Sequence, residues 1–89
     1  MVNMSKNDFR KLMMIHEEIN EKLKNEHMKH VQCLLKRYQD QYVLKFVSCD
    51  SPKYKEKIKH LCEYDYCESL MLVNESATTL TYSIYKKEP

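Results

Sequence analysis

Cys49-Asp-Ser-Pro-Lys-Tyr-Lys-Glu-Lys-Ile-Lys-His-Leu-Cys-Glu-Tyr-Asp-Tyr-Cys67 is the stretch on which the reading of this chain turns. Asp50-Ser51-Pro52 is a strong helix start, a capping side chain followed by a proline in the first turn. Tyr54, Ile58, Leu61 and Cys62 then share one helical face, which predicts a helix over 52–66. Just before it, Tyr42-Val-Leu-Lys-Phe-Val-Ser-Cys49 is β-branched and aromatic enough for a strand over 42–49. After it, Leu70-Met-Leu-Val73 reads as a buried strand and Asn74-Glu-Ser-Ala77 as a turn. Residues 79–85 alternate, with Leu80, Tyr82 and Ile84 on one face and Thr79, Thr81, Ser83 and Tyr85 on the other. A hairpin of 70–73 with 79–85 is therefore expected.

Towards the N-terminus, Ser5 followed by Asp8 has the form of a helix cap. Phe9, Leu12, Ile15, Ile19, Leu23, Val31, Leu34 and Tyr38 then recur at helical spacing, with no glycine or proline between residues 6 and 40. This predicts a helical region over 6–40. One straight helix of that length would run roughly 50 Å, too long for a small globule. Either it folds into a helical hairpin near Lys24-Asn25-Glu26, or it stays straight and pairs with a second copy of itself. The second is favoured, because Asn25 alone is a poor turn signal, and the eight apolar residues named above become the expected self-association surface. The fold class is α+β: a long amphipathic helix or helical hairpin, then a β-α-β-β unit with a small three-stranded sheet, in one domain spanning 1–89.

Composition narrows the function. A chain of 89 residues buries a modest core, which disfavours a deep catalytic cavity. It has no glycine, which removes phosphate-cradling loops, dinucleotide fingerprints and the nucleophile elbow together. Net charge is only +2, and thirteen of the fifteen basic residues are lysine, which lacks the bidentate fork that reads base edges. Mean hydropathy is −0.71, and neither a membrane span nor the apolar core of a signal peptide is visible. The expected compartment is cytoplasmic or nuclear, with Cys33, Cys49, Cys62 and Cys67 reduced.

Candidate sites are few. Lys53, Lys55, Lys57 and Lys59 crowd the start of the second helix while Glu63, Asp65 and Glu68 lie towards its end. That order opposes the helix dipole and would make sense with an anion held at Ser51, Lys53, Lys55, Lys57 and Lys59, either a phosphate or an acidic protein patch. The plainer reading is a solvated lysine face. His27, His30, Cys33, His60, Cys62 and Cys67 could supply zinc ligands if the two helices met, but Cys62-x4-Cys67 has no second pair and core packing explains Cys33 and Cys62. Cys67 lies beside Asp65 and Glu68, whose charge opposes a thiolate. No catalytic residue, metal or cofactor is expected. The leading expectation is a non-enzymatic regulatory or adaptor module that binds a protein partner and forms a homodimer through its N-terminal helix. The alternative is a nucleic-acid-binding protein contacting phosphates through the lysine-rich helix start. No membrane or small-molecule partner is expected.

Overall fold

The computed structural model describes residues 4–26, 28 and 30–84. The elements run α1 (Lys6–Asn25), β1 (Gln32–Tyr38), β2 (Gln41–Val47), α2 (Pro52–His60), a π-helical turn Leu61–Asp65, β3 (Leu70–Glu75) and β4 (Leu80–Ile84). The class is α+β, with a four-stranded sheet of order β1-β2-β4-β3 in which every neighbouring pair is antiparallel.

α1 starts where its sequence says it should. The Ser5 hydroxyl accepts the Asp8 backbone N–H at 3.1 Å, and Leu12, Ile15, Ile19 and Leu23 are buried along one stripe. Its end departs from expectation. The helical region 6–40 stops at Asn25, and residues 32–38 form a strand, so the sheet gains a fourth member. The cause is pairing. As a strand this segment matches β2 over seven consecutive residue pairs, from Gln32↔Val47 to Tyr38↔Gln41. Val31, Leu34, Leu35 and Tyr38 fit a helical period, but Val31, Cys33 and Leu35 equally fit the strand period of two.

The connecting turn is Gln39-Asp40, with Gln39 at φ 57°. This sign at the first central residue belongs to a hairpin turn that ordinarily takes glycine. The chain has none, so glutamine carries the strain, as Ser48 does at φ 63° where β2 gives way to the approach to α2. A twenty-residue α1 is about 30 Å long and fits within the molecule's longest dimension of 35 Å. The overhang that called for a second copy is therefore absent.

The later elements differ from expectation mainly at their ends. The strand expected over 42–49 is Gln41–Val47. The helix expected over 52–66 is α2 continued by the π-helical turn to Asp65, and the hairpin is Leu70–Glu75 with Leu80–Ile84. Tyr85 lies outside the described residues. β3 carries a bulge between Leu72 and Asn74.

Both helices cover the same face. One buried cluster joins Leu12, Ile15 and Ile19 of α1 and Ile58 of α2 to Cys62, Phe46, Leu80 and Tyr82. Phe46 and Tyr82 meet edge to face at 5.9 Å, and Phe9 packs on Tyr42 at 4.9 Å. Val43 is buried but stands outside that cluster, on the sheet face turned away from the helices. Both sheet edges are blunted. β3 has its bulge, and the β1 carbonyl of Cys33 accepts a 2.7 Å hydrogen bond from Nε2–H of His16 on α1. Among the described residues no helix is long and apolar enough to cross a membrane.

The strain at Gln39 is testable. Gln39→Gly should raise stability to urea by about 1 kcal/mol, since a side chain at positive φ costs of that order. Gln39→Val should lower it. A glycine variant less stable than the parent would show that the turn is not held at positive φ.

Candidate functional site

Lysines two apart on a helix point about 200° apart, so Lys53, Lys55, Lys57 and Lys59 form two pairs rather than one patch. Lys55 and Lys59 turn towards the end of β3, where their ammonium groups lie 3.3 and 2.9 Å from the Glu75 carboxylate. Lys55 also donates to the Ser76 carbonyl. These contacts fasten the β3–β4 turn to α2. They hold the Glu75 carboxyl below its ordinary value, first through Lys59 and then through Lys55, and they raise Lys59 in return.

Lys53 and Lys57 turn the other way, into a groove of about 580 Å³ between the C-terminal half of α1 and the outer side of α2. Its apolar lining includes Leu23, Met28 and Leu61; Lys22, Glu26, Glu56, His60 and Asp65 supply charge and polarity. Two ion pairs tie the helices together here, Lys57–Glu26 at 3.4 Å and Lys22–Asp65 at 3.9 Å. Lys22 also sits 4.8 Å from the Tyr66 ring centroid. Lys53 and Glu56, one turn apart, have no ion-pair partner among the described residues. His60 stacks on the exposed Tyr64 ring at 4.9 Å, with the planes 10° apart.

Ser51 is the N-cap of α2 by position, but its hydroxyl makes no capping bond and the first turn holds no acid. The structure therefore does not gather Ser51 and the four lysines around one point. Glu75 occupies two of them and Glu26 a third. No local signal marks Glu75, which is distant in sequence and reaches α2 only because β3 folds beside it.

The other candidates separate as well. Leu12, Ile15, Ile19, Leu23 and Val31, read as a self-association stripe, are buried in this chain's own core. Phe9 is half-buried against Tyr42, while Leu34 and Tyr38 stand half-buried on the helix-free face of the sheet. Of the zinc candidates, Cys33 and Cys62 enter the core. His30 faces Asp50 at 3.5 Å and Tyr54 at 5.0 Å, and Cys67 is exposed. His27 lies outside the described residues. No group of three His, Cys, Asp or Glu residues suited to a metal ion occurs among the described residues. Burial pushes the Cys33 thiol up to about 12, with Cys49 adding to it, and burial likewise raises Cys49 and Cys62. These thiols stay protonated and are poor nucleophiles.

Compared with known proteins, the chain matches no family model, and no curated protein or solved structure shows significant similarity to it.

Two measurements check this arrangement. Glu75 has a lowered pKa, so its ion pairs contribute stability above the ordinary carboxyl value of 4.5, and that contribution is lost as pH falls through the folded-state value. Glu75→Gln should thus unfold at lower urea than the parent near neutral pH, and the difference should shrink in acid below about pH 4.5. A difference that persists undiminished in acid would contradict the assigned contacts. Thiol titration with an aromatic disulfide reagent should label Cys67 at once and Cys33, Cys49 and Cys62 only as the protein unfolds. Rapid labelling of more than one thiol would refute the buried placement.

Proposed function

We propose that this chain is a non-enzymatic interaction module that docks an amphipathic helical segment of a protein partner in the groove between α1 and α2. The observation that carries the reading is the groove's make-up: the half-buried Leu61, with the core residues Leu23 and Met28 at its floor, beside Lys53 and Glu56, neither of which has an ion-pair partner within 4 Å among the described residues. A volume of about 580 Å³ is within the usual range for binding clefts and accommodates one or two large apolar side chains. The walls are helical and offer no free strand edge, so a helix-in-groove mode suits them better than strand addition. The partner's apolar stripe would lie on the lining, with an acid over Lys53 and a base over Glu56. A regulatory or adaptor role belongs to this same reading; a second copy would have to engage the groove through a surface other than its α1 stripe, which is buried in its own core.

Protonated buried thiols and the absence of a local nucleophile–base signature support a binding role over a catalytic one. Phosphate binding along Ser51–Lys59 has less support, because Lys55, Lys57 and Lys59 already face carboxylates.

The test is selection from a displayed library of amphipathic helical peptides. Selected peptides should carry a large apolar anchor near Asp or Glu. Lys53→Glu should weaken them roughly tenfold, about 1.4 kcal/mol, and Leu61→Ala should weaken them too, whereas Lys11→Glu on the outer side of α1 should not. Failure to select any binder, or affinity indifferent to Lys53 and Leu61, would sink the groove as the site. Sedimentation of the parent and Lys53→Glu proteins shows whether a second copy is the occupant.

A further inference from the structure

The sheet face turned away from the helices carries basic residues and, among the described residues, no acids. One row crosses all four strands as Leu34, Lys45, Thr81 and Asn74, and the next pairs Lys36 with Val43 and Ser83 with Met71. Among the described residues no carboxylate stands on this face. The acids lie on the helices, in turns and connections, or, like Glu75, reach across to α2. On the helical side Lys22, Lys55, Lys57 and Lys59 each face a carboxylate. On the sheet side Lys36 and Lys45 have no ion-pair partner among the described residues, although the register makes them diagonal neighbours on adjacent strands. Such neighbours lie roughly 7–8 Å apart or somewhat closer, so their charges repel with nothing on the face to offset them.

Tyr38 stands two residues beyond Lys36 on the same side of β1, half-buried, and Met71 is 44% exposed on β3. Val43, Thr81 and Ser83 at the centre are buried, so the accessible part is the surround of Leu34, Lys36, Tyr38, Lys45, Met71 and Asn74.

We infer that this face binds single-stranded nucleic acid: Lys36 and Lys45 contact backbone phosphates, and Tyr38, two residues from Lys36 on the edge strand β1, offers contact to the bases. A basic sheet face with an aromatic side chain beside one of its cations is a combination that sequence-tolerant single-strand binding uses. Lysine meets phosphate as a point charge and reads no base edge, so little sequence preference is expected. An acidic peptide would satisfy the lysines but leave the ring without a matching partner. This surface is separate from the helical groove, and the inference does not depend on what docks there.

The experiment titrates the full chain into a fluorescent oligothymidylate about fifteen nucleotides long, enough to span one small binding face. Anisotropy should report binding that weakens between about 50 and 200 mM salt, with a log–log slope near −1.4 for two phosphates neutralised on a single strand. The double variant Lys36→Glu/Lys45→Glu should lose at least tenfold in affinity. Tyr38→Ala should lose about tenfold, the order expected for one stacked base, while Tyr38→Phe stays close to the parent. Lys53→Glu, in the groove, should change nothing. Urea midpoints matching the parent establish that the variants fold, and Tyr38→Phe serves as the folded reference if the alanine variant is weakened. No binding by the parent, binding unchanged in the double variant, or equal affinity for polyglutamate would each overturn the inference, the last in favour of an acidic peptide.

Discussion

The pairing of Gln32–Tyr38 with Gln41–Val47 is the constraint on which the rest of the structure depends. Once those residues form a hairpin, α1 must end before them, and its twenty residues fit over the sheet without overhang. The hairpin also brings Cys33, Leu35, Leu44 and Phe46 to one face, where the stripe of Leu12, Ile15 and Ile19 closes over them. Burying such side chains is worth roughly 1.5–3 kcal/mol each, and this apolar term selects the helix-bearing face. The other face keeps polar and basic side chains because no described element comes down upon it.

The electrostatics are arranged upon that core. α2 is short and its lysines alternate, so it presents cations to two sides. On one side Glu75 takes up Lys55 and Lys59, holding the β3–β4 turn; on the other Glu26 and Asp65 take up Lys57 and Lys22 along the groove. Exposed ion pairs contribute little net stability, because solvent screens them and ordering long side chains costs entropy. Their effect is orientation: they decide which cations face solvent without a partner. In the groove that leaves Lys53, and on the helix-free face of the sheet it leaves Lys36 and Lys45.

Several polar contacts reach into the interior without making a reactive centre. Tyr82 donates to Glu63 at 3.5 Å, and burial pushes its phenol above the ordinary range. His16 spans from α1 to the Cys33 carbonyl. Both contacts lock α1 or the π-helical turn to the sheet. The buried thiols fill space in the core.

Much of this was legible from sequence alone. Ser5 marks the start of α1, Asp50-Ser51-Pro52 that of α2, and the alternation of Leu80, Tyr82 and Ile84 sets the inward side of β4, because caps and periodicity are local properties of the backbone. The strand nature of residues 32–38 was not legible. Their apolar spacing fits both periods, and their turn uses Gln39 at positive φ where a glycine would have announced it. The partition of the lysines was half legible: helical geometry alone separates Lys53 and Lys57 from Lys55 and Lys59. That Lys53 alone of the four is left without a carboxylate among the described residues was decided by the tertiary structure, since Glu75 and Glu26 meet α2 only after β3 and α1 have packed beside it.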